Sequence, residues 1–218
     1  MAERDHARVF ILSAPSGGGK SSLARALVES SDSMVTSISH TTRAVRPGET
    51  DGVHYFFVDR PRFEAMIAAG QFLEYASVFG ELYGTSRHMV ENALASGKHV
   101  ILDIDWQGAQ QVRAAFNDAV SVYILPPSLE DLAARLRARG RETEEQIAAR
   151  LAEAANEMIH YNEYDYIVIN ESFEDALCEL KDLVLKGKAP SSAAGFDVET
   201  LVQSAKNVRL KTSDAATL

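Results

Sequence analysis

APSGGGKSS, residues 14–22, follows the apolar run Val9-Phe10-Ile11-Leu12, so the chain leaves a buried strand and enters a glycine-rich turn ending in a lysine. Such a turn suits a phosphate. Successive backbone N–H groups and the N-terminus of the next helix point at anionic oxygens, and small residues let the backbone come close. Gly17, Gly18 and Gly19 meet that demand; Lys20 would reach the β and γ phosphates of a nucleoside triphosphate, and the Ser21 hydroxyl would take a place on Mg2+. Ala14 stands where the pattern G-x-x-x-x-G-K-[ST] has its first glycine. A flexible turn with an exposed lysine is the bland alternative. Against it stand the strand before the loop and the helical spacing of Leu23, Ala24, Leu27 and Val28 after it.

Beyond the loop, β-rich runs recur at 9–12, 99–103, 120–125 and 166–169, each followed by a helical pattern, at 21–29, 107–116, 128–139 and 173–186. Strands alternating with helices predict an α/β fold, a parallel sheet core with helices on both faces. Capping-box spacing marks three helix starts: Ser128 with Asp131, Thr143 with Gln146, and Ser172 with Asp175. Between 38 and 98 the texture changes to short aromatic β-like pieces, His54-Tyr55-Phe56-Phe57-Val58, Phe72-Leu73-Glu74-Tyr75 and Glu81-Leu82-Tyr83-Gly84-Thr85. One helix is expected after Asp59, stopping at Gly70, and another ending near Gly97. This reads as an insertion large enough to hold its own ligand. From Ala189 the run Pro190-Ser191-Ser192-Ala193-Ala194-Gly195 reads as a linker, and the tail beyond has only weak helical spacing at Val198, Leu201, Val202 and Ala205.

Composition narrows the function. The 218 residues are 46% hydrophobic and 24% charged, enough to bury a core, and the formal net charge of -9 argues against non-specific nucleic-acid binding, which needs a basic surface. No run approaches the roughly 18 apolar residues of a membrane span, and residues 1–8 are charged where a secretory signal is apolar. A cytoplasmic protein without membrane or nucleic-acid partners is expected. The lone Cys178 reads as a packing residue, and the six histidines show no paired metal-ligand spacing.

Two further segments carry chemistry. Val100-Ile101-Leu102-Asp103-Ile104-Asp105 is an apolar run ending in acid, which delivers carboxylates to the C-terminal edge of a sheet where ligands of open α/β folds bind. Alternation would put Asp103 and Asp105 on one face, about 7 Å apart; beside a phosphate loop they would serve the magnesium and a second ligand, or else cap the next helix. Ser39-His40-Thr41-Thr42-Arg43-Ala44-Val45-Arg46-Pro47-Gly48-Glu49 places two arginines three apart among hydroxyls, a site for a second phosphate. Tyr55, Tyr83 and the isolated acid Glu74 share its insertion.

The stretches SAPSGGGKSS, SISHTTRAVRPGE, FLEYASVFGELYGTS, ILDIDWQG and RLRARGRETEEQIAARL, in order along most of the chain, resemble the guanylate kinase family. The resemblance implies a kinase domain over 8–188: a core of 8–38 and 99–188, a mainly β GMP-binding insertion at 39–98, and a helical lid at about 128–151, with 189–218 as linker and C-terminal tail. It implies an enzyme that phosphorylates GMP and dGMP from ATP with Mg2+. By it, residues Ala14, Pro15, Ser16, Gly17, Gly18, Gly19, Lys20, Ser21 and Ser22 with Asn170 would hold ATP; Arg43, Arg46, Tyr55 and Tyr83 would hold the GMP phosphate; Ser39, Glu74, Thr85 and Asp105 would surround the guanine. Catalysis would fall to Lys20, Arg43, Arg135, Arg139 and Arg150, and Mg2+ to Ser21 and, through water, Asp103. Chemistry agrees on Glu74: a carboxylate can accept the adjacent N1–H and N2–H2 of guanine together. A catalytically inactive interaction module of the same fold is the rival, though such a module could shed Lys20 and Arg139, both present here. Ala14, Val45 and Leu82 depart from the usual family residues, and the oligomeric state is left open.

Overall fold

The computed structural model describes residues 6–78, 80–138, 140 and 143–215, with side chains described as far as 207. Five strands form one sheet in the order β2-β7-β1-β8-β9, flanked by helices. They are β1 (Val9–Ser13), β2 (Met34–Thr36), β7 (His99–Asp103), β8 (Val120–Leu125) and β9 (Tyr166–Ile169). Parallel pairing needs a crossover connection, and β2 with β7 and β8 with β9, each separated by helix-bearing segments, are parallel. The chain divides into two compact units: 1–11 with 28–120, and 12–27 with 121–218.

The first unit carries β2, β7 and a second, four-stranded sheet in the order β4-β3-β6-β5, built from β3 (His40–Thr41), β4 (Phe56–Phe57), β5 (Phe72–Val78) and β6 (Glu81–Ser86). Its helices are α2 (Arg60–Ala68), α3 (Arg87–Ala95) and α4 (Trp106–Ala115). Asp59 and Ser86 cap α2 and α3, accepting from the N–H groups of Arg62 and Met89. The Gln111 side chain of α4 accepts from the Tyr75 N–H and donates to the Tyr75 carbonyl of β5, so the second sheet is fastened to the helix that follows β7.

His40 is sandwiched in this unit between Phe56, stacked at 4.8 Å, and Phe72, edge-on at 5.6 Å. Its Nδ1 is buried without a hydrogen-bond partner among the described residues. Burial first, then the Arg62 charge, holds its imidazole below the usual 6.5, opposed by Asp51. The unfolded chain therefore takes up this proton at a higher pH than the folded chain does. Stability should fall as pH drops below 6.5 toward the depressed folded value and level off beneath it. Melting curves between pH 7.5 and about 5 should show that slope reduced in His40→Phe; an equal slope in both proteins would contradict it.

The second unit carries β8, β9, α1 (Lys20–Glu29), α5 (Leu129–Ala138), α6 (Glu144–Met158), α7 (Phe173–Lys186) and α8 (Val198–Ala215). Leu23 and Leu27 of α1, Leu132 and Leu136 of α5, and Ile147 and Met158 of α6 are buried, each pair spaced to share a helix face. Each such side chain contributes about 1.5–3 kcal/mol through burial. The expected capping box of Thr143 and Gln146 is complete on α6, whereas Ser172 accepts from the Asp175 N–H with no return bond.

The tail differs from the sequence reading. Val198, Leu201, Val202 and Ala205 are all buried on one stripe of an 18-residue helix, α8, which packs on α6. The preceding segment is tied down as well: Glu179 accepts hydrogen bonds from the N–H groups and hydroxyls of Ser191 and Ser192, and the Ser192 hydroxyl accepts from the Ile169 N–H. Burial alone would push the Glu179 carboxyl up; the bonds from Ser192 and Ser191 outweigh it and hold it below its usual range.

Candidate active site

Residues expected from the sequence gather in each of the two units. In the second unit the turn between β1 and α1 closes with a bond from the Gly18 N–H to the Pro15 carbonyl at 2.8 Å. Gly17 and Gly19 have φ of +94° and +92°, a region that side chains strain to enter. Space is equally tight: a Cβ on Gly17 would lie 2.9 Å from Leu132 of α5, and one on Gly18 would lie 3.0 Å from the Ala14 Cβ. Ala14 thus packs against the loop it opens.

The loop is held from outside by predicted residues. The Asn170 amide donates to the Gly18 carbonyl at 2.9 Å, and Arg135 donates to the Asn170 carbonyl at 2.6 Å. From α6, Arg150 donates to the Ser16 hydroxyl at 2.9 Å. Lys20 opens α1, half-buried, followed by the exposed Ser21 and Ser22. Residues 14–22, Arg135, Arg150 and Asn170 are therefore brought together, while Arg139 lies outside the described residues. Sequence reasoning missed Glu157, whose carboxylate accepts the Ser16 N–H at 2.7 Å. The neighbouring Arg137 pairs with Glu144 at the surface.

In the first unit, Arg43 is the hub of one cluster. Its two terminal nitrogens make a forked pair with Glu49 at 2.8 and 3.0 Å, and its guanidinium lies 5.4 Å from the Tyr55 ring centre and 5.7 Å from that of Phe57. Tyr55 meets Tyr83 edge-on at 5.9 Å. A turn explains the geometry: the Glu49 N–H donates to the Arg46 carbonyl, with Pro47 and Gly48, at φ +85°, in the central positions of a type II-like turn. The same Glu49 carboxylate also accepts the Arg46 N–H at 2.8 Å. The hydrogen bond with Arg43 holds the Glu49 carboxyl below its ordinary value and raises the Arg43 guanidinium. Val45 projects into solvent, and Leu82 pairs with Thr42 through its backbone, so neither departure removes a polar group from this cluster.

A second cluster gathers around Glu74. A β-bulge between Phe72 and Glu74 shifts the pairing with β6, so Phe72, Leu73 and Glu74 are all buried and Glu74 comes opposite Thr85. The Thr85 hydroxyl donates to one Glu74 oxygen at 2.5 Å. A hydroxyl has one proton, so Thr85 as placed here offers only acceptor lone pairs to anything else. The other Glu74 oxygen lies 2.6 Å from where a Cβ on Gly108 would be. Gly108 in turn donates its N–H to Asp105 at 2.8 Å.

Asp105 also departs from the expected strand. β7 ends at Asp103, and Asp105 is the N-cap of α4, since its side chain accepts the Gly108 N–H and stops the ladder there. Its other oxygen accepts from Gln107 at 3.3 Å. Asp103 closes β7 half-buried. Ser39 contributes its carbonyl to the Phe56 N–H of β4.

A parallel sheet whose first strand runs into a glycine-rich turn, a lysine and a helix, with an arginine from a later helix on that turn, defines a phosphate-loop nucleotide-binding protein. Within that class the chain belongs to the guanylate kinase family, whose model matches residues 6–187. It is 55% identical over 177 residues to the guanylate kinase of Shewanella denitrificans, covering 81% of this chain and 86% of that one. It is 57% identical over 176 residues to that of Hahella chejuensis, covering 81% and 85%. The crystal structure of guanylate kinase from Anaplasma phagocytophilum superposes with a TM-score of 0.71 at 34% identity, covering 86% of this chain and 89% of that one. The family match stops before α8.

Proposed function

We propose that this chain phosphorylates GMP from ATP, giving ADP and GDP, and that its two half-sites divide the work. The observation that carries the reading is the coexistence of a glycine loop gripped by Asn170 and Arg150 with a buried Glu74 and an arginine–tyrosine cluster around Arg43. A protein that only hydrolysed ATP would not need the second set.

In this reading the phosphate loop, Lys20, Arg135, Arg139 and Arg150 take the triphosphate. Arg43, Arg46, Tyr55 and Tyr83 take the acceptor phosphate. Glu74, with Ser39, Thr85 and Asp105, reads the guanine. The bond between the γ phosphorus and its bridging oxygen breaks as one from that phosphorus to a GMP phosphate oxygen forms, in line. The acceptor oxygen is already largely deprotonated, because a phosphomonoester has a second pKa of about 6, so no general base is required. Catalysis then rests on position and charge: two anions are brought together and the charge on the transferred group is met by Lys20 and the arginines. Closure that excludes water would keep ATP from hydrolysis.

Mg2+ fits the donor set. Ser21 presents an exposed hydroxyl at the first turn of α1, and among the described residues no three His, Cys, Asp or Glu side chains converge. That suits a hard cation arriving with phosphate and water rather than one caged by protein. When bound with ATP it would offset charge on the β and γ oxygens, held by Ser21 and, through water, by Asp103.

The direct test is to incubate the protein with ATP, Mg2+ and GMP and separate the nucleotides: ADP and GDP should appear in equal amounts. ADP without GDP would overturn the proposal. Gly108 gives a finer check, because its Cβ in Gly108→Ala would fall 2.6 Å from the buried Glu74 carboxylate. Such overpacking costs about 1–3 kcal/mol. GMP KM should rise on the order of tenfold with ATP KM unchanged; an unaltered GMP KM would separate Gly108 from the guanine site.

A further inference from the structure

Helix α6 holds one residue of the phosphate loop, Ser16, at two of its polar groups, the backbone N–H and the hydroxyl. Glu157 accepts the backbone N–H of Ser16 at 2.7 Å, and Arg150 donates to the Ser16 hydroxyl at 2.9 Å. The two side chains are two helical turns apart and so lie on one face. Between them Ala154, fully buried, brings the helix close to its neighbours. The two bonds differ in kind. A hydroxyl is a partner that a guanidinium can exchange for a phosphate oxygen, whereas a backbone N–H bonded to a carboxylate is a charge-assisted attachment to the main chain itself.

We propose that Glu157 is a positioning residue for ATP: it pins α6 to the phosphate loop through the Ser16 N–H, so that Arg150 can pass from the Ser16 hydroxyl to the incoming phosphates without the helix moving. The loop N–H at residue 16 is thereby occupied by the protein's own carboxylate, which leaves triphosphate binding to the N–H groups further along. The carbonyl two residues on, at Gly18, is fixed by Asn170 and through it by Arg135. The loop is therefore registered at residue 16 by α6 and at residue 18 by the end of β9 and α5. Without Glu157, Arg150 would have to be ordered again each time ATP bound, at an entropic cost.

This inference rests on the reading of the loop as the ATP half-site. Its test is steady-state kinetics of Glu157→Ala and Glu157→Gln with each nucleotide varied in turn, together with calorimetry of a non-hydrolysable ATP analogue in the absence of GMP. Alanine should raise the ATP KM and weaken analogue binding by about tenfold or more, with the GMP KM unchanged. Glutamine keeps an oxygen acceptor without its charge and should cost about threefold, so it decides the matter should the alanine variant not fold. Wild-type ATP KM and analogue affinity in Glu157→Gln and Glu157→Ala would overturn the proposal, as would equal rises in the two KM values. If the wild-type protein forms no GDP, the proposed function fails instead.

Discussion

Lys20→Ala should reduce GMP-dependent ADP formation by about 10^3-fold or more, while GMP still binds with near wild-type affinity. The lysine opens α1 directly after the glycine turn, where a triphosphate would sit on the loop N–H groups. Its ammonium is the one protein charge carried on the loop itself; Arg150 reaches the loop at Ser16 from α6, and Arg135 of α5 reaches Asn170, which in turn holds Gly18. Deleting a charge aimed at a transferring phosphoryl group removes stabilisation felt most in the transition state, and losses of roughly 10^2–10^3 per donor are typical. The two clusters proposed for the acceptor, Arg43 with Tyr55 and Tyr83 and Glu74 with Thr85, belong to the other compact unit and are built from other strands. Calorimetry with GMP alone reads those clusters separately from the loop. A collapse of GMP affinity in Lys20→Ala would mean that donor and acceptor sites are not distinct.

Glu74→Gln should cut kcat/KM for GMP on the order of 10^2-fold and narrow the preference for GMP over AMP. The side chain keeps its size and its place in the bulge of β5, so packing is preserved. What changes is the chemistry of a buried group. The carboxylate takes the Thr85 hydroxyl on one oxygen, and in the proposed reading its two oxygens would accept the N1–H and N2–H2 of guanine. An amide offers one accepting oxygen and sets an N–H2 donor against a guanine donor. Buried polar groups left without partners are what give such sites selectivity of roughly 10^4 against the wrong substrate. An unchanged melting temperature together with the lost selectivity would separate recognition from folding. Retention of full selectivity would remove Glu74 from the guanine site.

How far these features could be read from residues alone follows from their physics. The loop and its lysine depend on local order in sequence, strand then glycines then helix, so β1, residues 14–22 and α1 emerge where the pattern puts them. Capping at Thr143 is equally local. Glu74 is harder to read, because the bulge buries three successive residues and breaks the period of two by which a strand face is recognised. Asp103 and Asp105 looked like one strand face; the hydrogen bond from Gly108 to Asp105 turned the second into a helix cap. Glu157 carried no signal, since it stands on an acid-rich helix and its partner is a backbone N–H 141 residues away. The tail shows its apolar stripe only weakly in sequence, and its start signal is the single residue Asp197, which accepts from the Thr200 N–H and hydroxyl.

The central claim, a phosphotransferase whose second substrate is GMP, is tested most directly by a coupled assay of ADP formation with ATP, Mg2+ and, in turn, GMP, dGMP, AMP and UMP. The account predicts rapid ADP formation with GMP, slower with dGMP, and little with AMP or UMP. Folded protein that forms no ADP in response to GMP, or responds to AMP equally, would contradict it.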